Sequence, residues 1–301
     1  MRALRVPVAM ALTLAAVACM LACGGLSTAP SKVPVFTQLA FVSDRTVSPP
    51  TGLFLMTLNG SGVTPVPFSN MSVYAPSVSA DLKTFAFEAS GNVWVSNADG
   101  STQTQLTSNG NSYAVKVSPD GTKIVFNQMD SVSHIYNLWV MKVDGTGQFN
   151  LTSTMPTGMT NCYGGSFSAD STRIAMNCQG NTSSGVFTIN PDGTGLATVT
   201  TQTYYIDTPV FTPDATKILF VLYGQAGPLQ TAIFSVNLDG SDQTSVATAG
   251  FEAEILNSAL FYTVYDSTLD RDRIYTSNLD GSNAVALTDG TSNDYLGTAT
   301  D

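Results

Sequence analysis

The sequence predicts an all-β chain: a six-bladed β-propeller of four-stranded antiparallel blades, its ring closed by the C-terminal strand completing blade one. Three observations predict it. Asn-Gly or Asp-Gly pairs recur at 59–60, 99–100, 144–145, 192–193, 239–240 and 280–281, at intervals of 40, 45, 48, 47 and 41 residues. A regular period of that size marks propeller blades. A second motif lies between these turns, as "SADLKTFAF" at 79–87, "SPDGTKIVF" at 118–126, "SADSTRIAM" at 168–176 and "TPDATKILF" at 212–220. Composition agrees: 43% hydrophobic against 11% charged excludes a disordered chain, and the abundant Ser, Thr, Asn and Gly suit strands joined by polar turns.

Residues 1–22 read as a lipoprotein-type signal peptide. Arg2 and Arg5 form its charged start, and the apolar run 6–22 is too short and wrongly flanked for a stable membrane span. The run ends in "MLACGG", where Ala22 precedes Cys23 and Gly24 and Gly25 follow it. This resembles the lipobox of bacterial lipoproteins, with Met20 where Leu is usual. The resemblance implies cleavage before Cys23 and lipidation of that cysteine; an ordinary signal peptide cut nearby, and lipidation at Cys19, are the alternatives. Residues 23–34 then read as the lipidated cysteine and a flexible tether, and residues 35–301 as the propeller. Cleavage removes two arginines, so the formal net charge falls from −10 to −12. An acidic domain with so few cations has no basic footprint, which excludes nucleic-acid binding.

Within the repeat, each Asn/Asp-Gly pair follows a strand: "LFLMTL", "VWVSNA", "LWVMKV", "VFTINP", "IFSVNL" and "IYTSNL". The pairs predict type I′ hairpin turns, in which both central residues need positive φ. Short strands ending in Leu-Thr follow at 106–107, 151–152 and 287–288. One unit is therefore an inner strand, a Ser-Pro-Asp turn, a buried strand, a variable loop, a third strand, an Asp-Gly turn and an outer strand. Unit six carries a worn form of the first turn, "LNSALFY" at 256–262. Unit one lacks an inner strand and begins at "FTQLAF", from Phe36, while "NDYLGTATD" at 293–301 supplies an unpaired one. The spacing from Asp280 to Asp301 matches that from Asp99 to Asp120, so the terminal strand is placed in blade one, which removes the open edges.

This pattern resembles the TolB-type propeller repeat: a Ser-Pro-Asp-Gly turn before an Ile-x-Phe strand, an aromatic-rich strand, then Asp-Gly. "FVSDR" at 41–45 resembles that family's loop after the second strand. The resemblance covers about residues 35–301 and implies a TolB-like role in envelope assemblies. Six blades fill the expected mature chain, so no counterpart of the N-terminal α/β domain of TolB is expected.

Cys162 and Cys178 stand symmetrically about the turn near residue 170, facing each other across a hairpin. Export places them in a disulfide-permissive compartment, so a disulfide is predicted over free thiols. No nucleophile elbow, zinc-protease helix or phosphate loop is present. The only histidine, His134, lies in the loop of blade three and reads as solvated. No cofactor and no metal site is implied. Calcium is the one ion to weigh, at Asp266, Asp270 and Asp272, but Arg271 and Arg273 interleave there and read as ion-pair partners. Asp120, Asp170 and Asp214 read as turn caps.

The candidate ligand-binding constellation is aromatic. Strand connectivity sends the variable loops and the linkers between blades to one face of the disc. Each linker ends in an aromatic residue as it enters the inner strand: Tyr74, Tyr113, Tyr163, Tyr205, Phe251 and Tyr295. Three stand seven residues before the turn aspartate, Tyr295 six before Asp301, and Tyr205 nine before Asp214. These rings form either a binding ring at the channel mouth or wedges between blades. Loops at 43–52, 127–137, 221–231 and 265–273 wall the same face.

The expected function is a non-enzymatic binding or scaffold module of the bacterial cell envelope. Its partner is a protein segment or cell-wall component, its anchor a lipid, and it is monomeric. In a cell with two membranes, Gly24 points to the periplasmic side of the outer membrane. The alternative is a carbohydrate-active lyase or hydrolase, or a sugar binder, with Asp207, Glu252, Glu254 and Asp294 as the acids near the linkers.

Overall fold

A computed structural model describes residues 38–45, 52–66, 72–81, 83–97, 100–156, 158–224 and 231–296. The expected signal peptide, Cys23, the tether, Phe36 and Asp301 lie outside the described residues. The described chain forms six four-stranded antiparallel sheets. From inner to outer strand, blade one is Asp294–Tyr295, Gln38–Ser43, Gly52–Thr57 and Thr64–Pro65, and blade two is Tyr74–Val78, Thr84–Ala89, Asn92–Asn97 and Gln103–Gln105. Blade three is Ser112–Val117, Lys123–Met129, Tyr136–Lys142 and Phe149–Asn150, and blade four is Met159–Phe167, Ile174–Gly180, Ser184–Ile189 and Ala197–Gln202. Blade five is Ile206–Phe211, Lys217–Tyr223, Thr231–Asn237 and Thr244–Ala247, and blade six is Phe251–Leu256, Ala259–Asp266, Arg271–Asn278 and Val285–Ala286. This is the predicted six-bladed propeller.

The turn between inner and second strand is built by one recurring side-chain triangle. In blade four, the Ser168 hydroxyl donates to Asp170 at 2.6 Å, Asp170 accepts the Thr172 N–H at 3.1 Å, and Ser168 Oγ accepts the Arg173 N–H at 2.9 Å. Ser79 with Asp81, Ser118 with Asp120 and Thr212 with Asp214 repeat it. A short side chain thus satisfies backbone donors that the tight turn would otherwise leave unpaired. The motif is structural, as its repetition suggested.

The Asp-Gly turns differ from expectation. None of Asn59, Asp144, Asp192, Asp239 and Asp280 has positive φ; only the following glycines do, at 84°, 83°, 85°, 85° and 82°. In blade three, Gly145 N–H donates to Lys142 O and Lys142 N–H to Thr146 O, both at 2.9 Å. This is a three-residue loop with a left-handed glycine, not a type I′ turn. The Asp carboxylate explains the choice: Asp144 accepts the Thr146 N–H at 2.9 Å, which an ordinary negative φ at Asp permits. Glycine is also required sterically, since a Cβ on Gly281 would stand 1.9 Å from Val246 O of the preceding blade.

Buried apolar side chains fill each gap between neighbouring blades. Val125, Leu138 and Leu151 of blade three meet Met176, Phe187 and Ile189 of blade four. Leu39, Phe41 and Met56 of blade one meet Leu256, Phe261 and Ile274 of blade six, which closes the ring. Cys162 and Cys178 are direct cross-strand partners in blade four and form the predicted disulfide. Limiting the unfolded chain in this way contributes roughly 3 kcal/mol.

Closure has its own latch. Asp294 and Tyr295 pair with Ser43 and Val42. Arg45 Nη2 meets the fully buried Asp294 carboxylate at 2.6 Å, while the guanidinium lies 5.1 Å from the ring centroids of both Phe41 and Phe54. Removing one partner of such a pair leaves a buried charge uncompensated. Arg45→Ala is therefore expected to lower unfolding free energy by roughly 3 kcal/mol in urea titration; a change below about 0.5 kcal/mol would mean that the latch does not hold the ring.

Candidate functional site

The site grows from one irregularity repeated in the inner strands. In blades two to six the register slips by one residue, between Tyr74 and Ser77, Tyr113 and Lys116, Tyr163 and Ser166, Asp207 and Val210, and Phe251 and Glu254. Each slip is a β-bulge, and the residue after its first position has positive φ: Ala75 45°, Ala114 50°, Gly164 71°, Thr208 42° and Glu252 55°. For the four non-glycine residues this costs on the order of 1 kcal/mol each. Bulges re-aim side chains, and they concentrate beside functional sites. Here the residue three positions on lines the central channel in every case: Ser77, Lys116, Ser166, Val210 and Glu254.

Second-strand side chains grip the bulge of the next blade. Asn127 Nδ2 donates to Cys162 O at 2.8 Å, and its Oδ1 accepts the Gly164 N–H at 3.1 Å. Asn177 repeats the first bond, to Ile206 O at 2.8 Å. The second is absent, because the Thr208 N–H donates to Asp207 Oδ1 at 2.8 Å. Asn177 Oδ1 is left buried without a partner. A buried acceptor in that state costs about 1–3 kcal/mol.

Across the channel, Lys116 Nζ of blade three meets Glu254 Oε1 of blade six, the opposite blade, at 2.6 Å. Two recesses share this pair in their walls. On the Ser-Pro-Asp side lies one of about 140 Å³, lined by Val78, Phe167, Phe211 and Ile255. On the loop side lies a chamber of about 260 Å³, lined by Tyr163, Tyr205, Tyr223, Phe251, Asp207 and Glu252. Tyr205 and Tyr223 stand 5.2 Å apart at 52°, forming an aromatic corner.

Asp207 reaches the cavity with part of its surface but is otherwise enclosed by protein. Burial pushes its carboxyl up to about 6, against the opposing hydrogen bonds from the Thr208 N–H and the Tyr205 hydroxyl. Burial, then the charge of Asp207, raises the Tyr205 and Tyr223 phenols. Burial also raises Tyr163, with Tyr136 and Asp207 adding to it. All three therefore stay neutral at physiological pH. Glu252 accepts a hydrogen bond from Thr263 at 3.0 Å.

Of the six aromatics predicted as a ring, Tyr163, Tyr205 and Phe251 line this chamber. Tyr113 joins Tyr163 through Tyr136, with centroid distances of 6.3 and 5.0 Å. Tyr74 is half-buried opposite Glu88, and Tyr295 is buried in the closing strand with its hydroxyl on Asp272. The bulge register puts Asp207, not Tyr205, in the position equivalent to Tyr74, Tyr113 and Tyr163. The spacing carried that signal, since Asp207 stands seven residues before Asp214. Tyr223 and Tyr136 have no such signature; they stand where the second and third strands end or begin at the loop face. In the loop of blade six, Asp266 pairs with Arg273 at 3.1 Å and accepts the N–H groups of Thr268 and Leu269. Among the described residues, no three His, Cys, Asp or Glu side chains group as a metal-holding set. His134 is exposed in its loop.

No family model and no curated protein matches the chain. In fold it is similar to TolB from Acinetobacter baumannii, with a TM-score of 0.71 and 13% identity over 86% of this chain and 65% of that one. It is also similar to a chain of the nidogen/laminin complex, with a TM-score of 0.64 and 12% identity over 87% of this chain and 95% of that one. An oligogalacturonate lyase in complex with manganese gives 0.57 and 13% identity over 84% and 74%. At these identities the likeness shows the fold, a six-bladed β-propeller. The chain spans 65% of the length of that TolB.

Asp207 also sets a pH dependence. Its folded pKa, about 6, lies above the ordinary value of 3.8, so the folded protein holds the extra proton between those two values. Stability therefore falls as pH rises through that window, and the cost above it is roughly 3 kcal/mol. Asp207→Asn keeps the Thr208 hydrogen bond without the charge. It is expected to raise the melting temperature by roughly 3–6 °C at pH 7.5, with the gain vanishing below pH 4. A variant that melts lower at both pH values would overturn this account of the carboxyl.

Proposed function

We propose that this chain is a non-enzymatic binding module of the bacterial cell envelope, taking a protein segment or cell-wall component into the loop-face chamber of its channel. The observation that carries the reading is the chamber itself: aromatic walls with polar tips, backed by an ion pair that spans the channel. Such a recess gives apolar contact area at low entropic cost and a few fixed polar groups for orientation. A TolB-type propeller in the A. baumannii protein, and a propeller in a complex between nidogen and laminin, are in keeping with protein recognition on this scaffold. The lipid on Cys23 holds the domain at the membrane, on the periplasmic face of the outer membrane in a cell with two membranes.

One observation favours the second reading, a carbohydrate-active enzyme. Asp207, with its carboxyl raised by burial, and Glu252 line one chamber, and a pair of carboxyl groups is what glycoside hydrolysis uses.

Two measurements test the proposal. The protein, incubated with envelope extract, is expected to capture a defined protein or glycan, sensitive to protease or to muramidase respectively. Tyr163→Leu/Tyr205→Leu should lose at least tenfold of that capture while keeping its melting temperature within a few degrees. Equal capture by the variant would remove the chamber from recognition, and turnover of an oligosaccharide, lost in Glu252→Gln, would favour the enzyme. Separately, Cys23→Ser is expected to shift the chain from the membrane pellet to the soluble fraction; an unchanged distribution would exclude the anchor.

A further inference from the structure

We infer that the loop-face chamber is a cage for a cationic headgroup, an ammonium or guanidinium, seated among Tyr163, Tyr205, Tyr223 and Phe251 and countered by the carboxylate of Asp207. The inference rests on the binding reading above and supplies its chemistry.

Charge balance comes first. Among the described lining residues, three carboxylates, Asp207, Glu252 and Glu254, stand with one cation, Lys116. Lys116 is already engaged by Glu254 at 2.6 Å. A neutral sugar or apolar side chain entering here would strip water from the Asp207 carboxylate and give back no charge. An anion would be repelled. A cation neutralises that carboxylate and meets aromatic rings, whose faces attract positive charge most strongly where water is scarce. The corner between Tyr205 and Tyr223, 5.2 Å apart at 52°, offers two such rings at once.

The second observation is independent of charge counting. Four blades place an aromatic residue at the first position of the bulge: Tyr74, Tyr113, Tyr163 and Phe251. Blade five places a carboxylate there, and that carboxylate takes the Thr208 N–H and leaves Asn177 Oδ1 unpartnered inside a fully buried side chain. The departure is unfavourable by itself, in desolvation and in an unmet acceptor. A cation beside Asp207 offsets the first of these, and local rules are broken in this way at functional sites.

Proton linkage follows. Of the titratable groups around Asp207, Tyr163, Tyr205 and Tyr223 stay neutral because burial raises them. Among the described lining residues, Glu252, Glu254 and Lys116 are the other charged groups. Below about pH 6 burial leaves Asp207 protonated, and the cage loses a counter-charge. Cation affinity should therefore fall as pH falls.

The test is calorimetric titration of the full chain at pH 7.5 and 5.0 with tetramethylammonium, Nα-acetyl-lysine methylamide and glucosamine. N-acetylglucosamine and neopentyl alcohol serve as neutral counterparts. Tetramethylammonium and the lysine probe, which are fully charged at both pH values, are expected to bind about tenfold more weakly at pH 5.0, in proportion to the ionised fraction of a carboxyl near 6. Asp207→Asn, confirmed as folded by its melting curve, should bind at least tenfold more weakly at pH 7.5 and lose the pH dependence. Tyr223→Leu should weaken tetramethylammonium as well. Preference for the lysine probe assigns a protein segment as the source, and preference for glucosamine a cell-wall amino sugar; both support the cage. Neutral counterparts binding as tightly as the cations, or Asp207→Asn binding unchanged, overturns it. If that happens while envelope capture remains sensitive to Tyr163→Leu/Tyr205→Leu, the cage falls and the binding reading stands. If capture is insensitive too, both fall.

Discussion

Each blade of this propeller is a sheet with two apolar faces, and neither face can be left to water. The fold therefore depends on closing the ring. Buried clusters occupy the gap between blades three and four, between four and five, and onward around to the gap between six and one. Closure at blade one rests on the short strand Asp294–Tyr295 and on Arg45, which joins a buried carboxylate to two phenylalanine rings. Glycines of the Asp-Gly turns continue the seam outward. Gly60 of blade one lies against Leu287 O of blade six, and Gly240 of blade five against Val199 O of blade four, at distances that admit no side chain.

The same constraint explains why the channel is built from strained strands. Packing six sheets about one axis brings the inner strands together, and each described inner strand from blade two to six accommodates this with a bulge at the same register. Positive φ at Ala75, Ala114, Thr208 and Glu252 persists because neighbouring elements hold it, as Asn127 holds Gly164. The bulge separates two roles along one strand. Residues before it belong to the loop face, while the residue three further on points into the channel and supplies the Lys116–Glu254 pair.

Function in a repeat fold lies where the repeat is broken. The Ser-x-Asp triangles and Asp-Gly loops are alike from blade to blade and hold turns. Asp207 has no counterpart at its register among the other bulged strands. It carries a perturbed carboxyl, alters the hydrogen bonding of Asn177, and shares one chamber with Tyr205, Tyr223 and Glu252. Asp207 thus stands at a register that holds an aromatic residue in four other blades.

Blade number, strand order and ring closure were legible in the sequence because they follow from local, periodic signals: turn chemistry every 40 to 48 residues and apolar strands between. The disulfide was legible for the same reason, since Cys162 and Cys178 flank one hairpin turn symmetrically. The turn type was not, because Asp-Gly serves both a type I′ turn and a glycine-bulge loop, and the hydrogen bond from Thr146 to Asp144 selects the second. Three of the six aromatic positions, Tyr163, Tyr205 and Phe251, line one chamber, and that membership depended on distances between blades. Tyr136 and Tyr223 come from strand ends with no periodic signature, and Tyr205 approaches the chamber from outside the repeat position that Asp207 fills. The pairing of Lys116 with Glu254, 138 residues apart, depends on their blades standing opposite in the ring. Local sequence determined each blade; only the closed ring decided which side chains meet at its axis, because that meeting is set by six-fold geometry and not by neighbouring residues.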